Sequence, residues 1–304
     1  MTTTNPVSAS PIASFEAALT GAVSSASPSI VRVDRRRGGG SGLVWAPDLV
    51  VTASFHAPDK TTVGIAGADG SITERDATIV GRDPGTDVAV LRVDGGGLTP
   101  AQFRDLDGVA VGQPVLALGR PGRSVRASLR IIGVLGPEMR TPGGGRLERY
   151  VETDRQIPRG FAGGPLVSLD GRVLGMSTRT LLRGADLAIP RVTLERVVGE
   201  ILAHGGVRRG YLGVGAYPVA LPTAIASAVG RDRGALVASV EDGGPAATAG
   251  ILVGDILLAI AGDPIEGPED LRESLADRAD TEVELDLVRA GARQTIKVKI
   301  GVRS

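Results

Sequence analysis

Between Ser29 and Ile189 the apolar residues come in short β-branched runs broken by glycine and proline: IVRV, SGLVW, LVVTA, ATIVG, VAVLRV, PVLALG, LRIIGVLG, RYVET, PLVSL, VLGMST and DLAIP. Runs of about 4 to 8 residues with regular turn signals predict a sandwich or barrel rather than a parallel sheet. On either side the period changes. Ser10 followed by Pro11 suits an N-cap and a first helical position, and Ile12, Phe15, Leu19 and Val23 recur at helical spacing. This predicts a short helix to about Ala22 that docks on a surface. Met1 to Ser10, rich in Thr, Ser and Pro, reads as disordered. After the strands, Pro190 to Ala203 sets Val192, Leu194, Val197, Val198, Ile201 and Leu202 at helical period, and Gly205-Gly206 stops it. A domain boundary near residue 208 follows. Beyond it, GYLGVGAYPV, GALVASVEDGGPAATAGILVGDILLAIAGDPI, GPEDLRESLADR and VELDLVRAGARQTIKVKI make a compact unit of strands and two short helices. The division is an N-terminal segment over 1–27, a mainly β domain over 28–207 and a small α+β domain over 208–302.

Composition changes this picture little. At 304 residues, 42% apolar and 22% charged, the chain has the make-up of ordinary globular domains. Its 34 basic and 34 acidic residues cancel, so no global field recruits nucleic acid or an anionic membrane, and Arg35-Arg36-Arg37 reads as a solvated hairpin tip. Without cysteine there is no disulfide framework and no thiolate nucleophile. Imidazole ligation is limited to His56 and His204, so no metal or other cofactor is expected. The first residues contain no Lys or Arg and no sustained apolar core, and no later run approaches a membrane span, Ile251 to Ile260 being broken by Asp255. A cytoplasmic location is the expectation.

The chemistry concentrates in Glu152 to Gly171, ETDRQIPRGFAGGPLVSLDG, where a glycine-rich loop runs into the apolar strand Pro165 to Leu169. Gly160, Gly163 and Gly164 let backbone N–H groups turn toward a negative oxygen, the task of an oxyanion hole in acyl transfer, with Gly160 and Ala162 as its donors. With Thr153, Asp154, Gly160, Gly163, Gly164, Pro165 and Leu166 in this order, the stretch resembles the active-site loop of trypsin-like serine proteases of the HtrA (Deg) family. That family carries Asn-Ser where this chain has Phe161-Ala162. The segments after residue 208 resemble a PDZ domain of the HtrA type, so the resemblance covers roughly residues 28 to 300. It implies a double six-stranded β-barrel followed by a PDZ domain, and by analogy a trimer built with the N-terminal segment. Gly143-Gly144-Gly145 sits on a connection that could be a mobile activation loop or a plain turn, and is read as the turn.

A serine protease needs a hydroxyl, an imidazole that takes its proton, and an aspartate that orients the imidazole. DPGTDVAVLRV matches the family's Asp motif and places Asp87 just before an apolar strand; the bland alternative is that Asp87 caps a turn. The resemblance puts the base three residues after Thr52, where this chain has Phe55, and His56 arrives one residue late. One residue of a helical turn is about 100° of rotation, which aims the imidazole away from Asp87 unless a local insertion restores it. Ala162 stands at the nucleophile position, and Ser168 and Ser177 belong to other strands. Loss of such a nucleophile costs roughly a millionfold in turnover.

The expected function is therefore an inactive pseudoprotease that binds peptides or free C-termini through its PDZ domain. The alternatives are an active serine endopeptidase of protein quality control whose position 162 was changed to alanine, and a chaperone-like oligomer. The expected partners are polypeptides. For the PDZ unit the resemblance points to the loop Tyr211, Leu212, Gly213 and Val214 as carboxylate reader, with Leu271 and Leu275, four apart on one helix face, as further pocket wall or simply core.

Overall fold

A computed structural model describes residues 10–34, 39–67 and 69–303; the side chain of His56, the stretch before Ser10 and the basic tip at 35–37 lie outside that description. The chain divides into two compact units, Met1–Gly206 and Val207–Ser304. The first unit opens with helix α1 (Pro11–Ala26), followed by β1 (Ile30–Val33), β2 (Gly40–Ala46), β3 (Leu49–Ala53), β4 (Lys60–Ala66), β5 (Ile72–Asp83) and β6 (Val88–Val93). These six strands close into one barrel in the order β1-β2-β3-β6-β5-β4. A second barrel uses β7 (Pro114–Gly119) and β8 (Arg126–Gly136). The short ladder β9 (Met139–Arg140) and β10 (Arg146–Leu147) intervenes before β11 (Tyr150–Thr153), β12 (Pro165–Ser168), β13 (Val173–Leu182) and β14 (Ala185–Pro190). Its order is β11-β14-β13-β12-β7-β8. The fold is thus mainly β, as the runs of β-branched residues required.

Alternation along the strands fills the barrels. Val31, Val33, Val44, Val50, Val63, Leu91 and Val93 form the first core, and Val115, Ala117, Ile132, Val151, Leu166, Leu174 and Ala188 the second. Helix α2 (Arg191–His204) buries Leu194, Val197, Val198 and Ile201 and ends on Gly205 at φ +77°. A Cβ on Gly81 of β5 would lie 2.1 Å from the Gly205 carbonyl oxygen, so this close approach requires glycine. Helix α1 runs one turn past Ala22, because it continues into a 3₁₀ turn, Ser27–Ser29, with Ser27 Oγ bonded to the Val23 carbonyl at 2.7 Å. Only its second half docks: Ala22 and Ala26 are buried, whereas Ile12 and Phe15, expected to dock, are 71% and 41% exposed. Arg120 ties this junction to the second barrel. Its guanidinium is buried and donates to the Ile30, Arg123 and Ser27 carbonyls at 2.7, 2.9 and 3.2 Å, and burial pushes its pKa down.

The second unit contains β15 (Arg209–Tyr211), β16 (Val214–Ala220), α3 (Thr223–Val229), β17 (Arg233–Val240), α4 (Pro245–Thr248), β18 (Ile256–Ile260), β19 (Asp263–Pro264), α5 (Pro268–Ala276), β20 (Glu282–Arg289), β21 (Ala292–Lys299) and β22 (Gly301–Arg303). Its main sheet runs β16-β17-β18-β20-β21, β19 pairs with β18, and β15 pairs with β22. Three helices form where the sequence pattern gave two. The extra one, α3, follows Pro222 and closes on Gly230 at φ +70°, but with seven residues it is too short to show a period.

Asp255 holds the turn before β18. It is 2% exposed and accepts from Arg289 Nε and Nη2 at 2.8 and 2.7 Å and from the Leu252 N–H at 2.8 Å. Burial pushes its carboxyl upward, but Arg289 and the Leu252 N–H outweigh burial and hold it below the ordinary aspartate value. A depressed folded value gives stabilisation that is complete above the unfolded value of about 4 and is lost as pH falls through the folded one. Thermal melts taken from about pH 7 down to about pH 3 should therefore show stability falling on the acid side, with a shallower fall in Asp255→Asn. An identical acid limb in the variant would place the acid sensitivity in other carboxylates.

Candidate functional site

The loop that leaves β11 reaches the Gly160–Gly164 turn through a chain of backbone contacts. Phe161 N–H donates to the Pro158 carbonyl at 3.2 Å, Gly164 N–H to the Phe161 carbonyl at 2.8 Å, and Gly163 N–H to the Ser177 carbonyl of β13 at 2.9 Å. Ser41 Oγ of β2 donates to the Gly160 carbonyl at 2.6 Å, fixing that peptide against the first barrel. Gly163 sits at φ +88°, and a Cβ there would lie 2.3 Å from the Ser41 carbonyl oxygen and 2.6 Å from Thr52 Oγ1. Only glycine lets the turn press into the ends of β2 and β3.

Ala162, which the resemblance aligned with the nucleophile, is 6% exposed, and its methyl joins the apolar core of the second barrel beside Ala53, Ile157 and Phe161. Phe161 is itself 2% exposed. Its ring packs where Gly119 lacks a side chain, a Cβ on Gly119 falling 3.0 Å from Phe161 Cδ1. The Phe161-Ala162 pair thus extends the hydrophobic core into the turn.

Asp87 stands at the start of β6 with φ +56° and is 2% exposed. The turn before it is capped by Asp83, whose carboxylate accepts from Gly85 N–H, Thr86 N–H and Thr86 Oγ1 at 3.2, 3.2 and 2.7 Å. Asp87 therefore does not serve as the cap. Its Oδ1 accepts the Phe55 N–H at 2.9 Å, and its Oδ2 accepts Thr178 Oγ1 and Thr180 Oγ1 at 2.6 and 2.7 Å. The backbone donor on this aspartate belongs to Phe55, whose side chain is 69% exposed. His56 ends the 3₁₀ turn Ser54–His56, but its side chain, and with it the question of its aim, lies outside the described residues. Thr178 and Thr180 were not anticipated. They are two apart on β13 and so share a face, a signal present in the run MSTRT. Gly143-Gly144-Gly145 forms an ordered turn, with Gly144 N–H on the Thr141 carbonyl at 2.8 Å. Thr141 Oγ1 donates to the Gly85 carbonyl at 2.7 Å, which braces the turn carrying Asp87.

In the second unit Leu212, Leu271 and Leu275 share one buried core cluster, with Val214 packed against it. Tyr211 does not join them. Its ring lies under the Arg303 guanidinium at 4.5 Å, and a Cβ on Gly301 would meet it at 2.4 Å, so it faces β22 rather than α5. The Leu212 and Gly213 carbonyls are taken by Ala246 N–H at 2.9 Å and Glu241 N–H at 2.8 Å, and Gly213 is at φ +79°. These contacts fix the loop that leads into β16, a strand that pairs on one side with β17 and lies at the edge of its sheet. Among the described residues there is no group of three or more His, Asp or Glu that could hold a metal, and no helix is long and apolar enough to cross a membrane.

Residues 40–176 match the trypsin-like peptidase domain, and residues 236–289 match the PDZ domain. The chain belongs with the HtrA (Deg) proteins. It is 34% identical over 273 residues to a probable periplasmic serine endoprotease DegP-like of Brucella suis, covering 86% of this chain and 52% of that protein. The like-named protein of Rhizobium meliloti is 35% identical over 278 residues, covering 88% and 54%. The chain thus spans about half the length of the curated relatives it matches. Among solved structures, the HtrA-type protease AlgW with decapeptide superposes with TM-score 0.70 at 27% identity, covering 94% of this chain and 98% of that one. The serine endoprotease from Yersinia pestis gives TM-score 0.71 at 26% identity over 98% and 100%. The fold is accordingly a trypsin-like double barrel followed by a PDZ domain. The cytoplasmic expectation does not stand, because the relatives are named periplasmic. The expectation rested on the absence of a basic, apolar leader pattern and of a membrane-length run, and such absences do not decide the compartment.

Proposed function

We propose that this HtrA-type chain is a catalytically inactive homologue that acts as a polypeptide-binding scaffold, its PDZ unit taking free C-termini. The reading is carried by the residues found at the positions that the resemblance makes catalytic. Ala162 offers no oxygen to acylate and packs its methyl in the barrel core, and the backbone N–H that meets Asp87 belongs to a phenylalanine. A periplasmic setting is taken from the relatives. The AlgW structure, described as holding a decapeptide, supports peptide recognition by this architecture. A second reading, proteolysis, is favoured by the relatives' names as endoproteases and is met by the same experiment. The purified chain is incubated with casein and with a fluorophosphonate probe. No cleavage and no labelling are expected, and stoichiometric labelling that maps to this chain would restore the protease reading.

A further inference from the structure

The second barrel contains two buried opposite charges that do not pair with each other. Arg130 of β8 is 2% exposed and Asp186 of β14 is 6% exposed. Arg130 Nη2 donates to the Gln156 carbonyl at 2.7 Å, and Asp186 Oδ2 accepts the Ile157 N–H. Gln156 C=O and Ile157 N–H are the two ends of one peptide unit. That unit lies in the loop leaving β11, the strand that separates β8 from β14 in the barrel order. It stands three residues ahead of Gly160, where the turn begins. Arg130 Nε and Nη1 are buried without any partner among the described residues. Buried donors without acceptors are unfavourable, and in native structures each one needs a physical explanation.

We propose that Arg130 and Asp186 form a two-position latch on the Gln156–Ile157 peptide. In the first position they grip its two ends and fix the loop that feeds the Gly160–Gly164 turn. In the second, guanidinium and carboxylate bond to each other and release the loop. The exchange is close to balanced. The latched form leaves two Arg130 donors empty, whereas the released form fills them and hands one carbonyl and one N–H to water as the loop lifts. Neither charge can leave the barrel interior cheaply, so each must choose between the peptide and the other. The remaining charges near the pair are Arg179 of β13, which acts on Asp186, and Asp154 and Arg155 of the loop, which act on Arg130 with opposite signs. Burial is the largest influence on both members, raising Asp186 and lowering Arg130, as expected for charges that are not in direct contact.

Hydrogen–deuterium exchange of the full chain, read on peptic fragments spanning 154–164, separates a latch from plain packing. Arg130→Met removes the grip on the Gln156 carbonyl, and exchange in this segment should rise about tenfold while β12 and β13 stay unchanged. Asp186→Asn keeps an acceptor for the Ile157 N–H but cannot form the released ion pair, so exchange in the same segment should fall below that of the parent chain. The fall in Asp186→Asn is the signature of the second position; Arg130→Met loses the released ion pair together with the grip and reports only that the Gln156 contact holds the loop. A rise in both, a uniform rise through the barrel, or no change in either overturns the proposal. Should Arg130→Met fail to fold, Asp186→Asn decides alone, a fall supporting the latch and a rise or no change overturning it.

Discussion

Ala162→Ser alone is expected to leave casein hydrolysis at background, and Ala162→Ser with Phe55→His to exceed it by up to about 10⁶-fold. The asymmetry comes from the geometry at Asp87. Oδ1 takes the Phe55 N–H at 2.9 Å, which brings the backbone of residue 55 beside the carboxylate that a base would have to face. The Phe55 side chain is 69% exposed, so exchanging it for imidazole sacrifices little buried surface. Among the described residues Asp87 accepts three hydrogen bonds, from Phe55, Thr178 and Thr180, and a carboxylate has about four lone-pair sites, so these three partners do not exhaust its capacity for an imidazole N–H. A serine introduced without that imidazole has no partner to take its proton, and members of a triad act as a unit, so one restored member recovers almost nothing. Initial rates on casein, with fluorophosphonate labelling to count acylatable sites, give the readout. Robust activity in the single variant would mean that His56 reaches the serine and that the base position has been misassigned. Failure of the double variant in a folded protein would move the defect to Phe161 and the turn.

The same site shows what could be read from residue order and what could not. A mainly β sandwich or barrel was legible because β-branched runs of this length alternate inward and outward whatever they later enclose, whereas the two six-stranded barrels came from the resemblance; the glycines of the Gly160–Gly164 turn announced a backbone under steric constraint. The role of Asp83 against Asp87 was ambiguous in sequence, since either aspartate can cap a turn. Three-dimensional contacts separate them, Asp83 bonding within its own turn and Asp87 bonding to β13 and the residue after Ser54. Phe161 looked like a mere departure from a pattern. Its burial beside Gly119 depends on a strand more than forty residues earlier, and no local pattern encodes that. The Arg130 and Asp186 contacts were invisible for the same reason: β8, β11 and β14 become neighbours only when the barrel closes. Tyr211 entered the reading loop through the PDZ resemblance, but consecutive residues of an extended segment face opposite ways, and its ring lies against Gly301 and Arg303. The compartment failed for a different reason, because it was drawn from the lack of a basic, apolar leader pattern and of a membrane-length run, and an absence does not fix a compartment.

A peptide with an apolar last residue is expected to bind the full chain at roughly micromolar affinity, about −8 kcal/mol. Its C-terminal amide should bind about 10- to 100-fold more weakly. The second figure follows from the carboxylate. Hydrogen bonds to a charged group contribute about 1.5–3 kcal/mol, and each 1.4 kcal/mol is about tenfold in affinity. In the loop Tyr211–Val214 the Leu212 and Gly213 carbonyls are occupied by Ala246 and Glu241, which fixes their orientation. Gly213 at φ +79° carries no side chain to obstruct an anion approaching its N–H. The peptide would then lie along β16, whose outer edge has no strand partner among the described residues, with its last side chain toward Val214 and the Leu212, Leu271 and Leu275 cluster. Because Leu271 and Leu275 are each only 5% exposed, truncating them would damage the fold along with the pocket, so they make poor probes. The amide substitution changes the ligand and leaves the protein untouched. A fluorescence anisotropy titration of the acid and amide forms of one labelled peptide makes the comparison. Equal affinities would show that the loop does not read a terminal carboxylate, and would turn attention to the barrel as the polypeptide-binding surface.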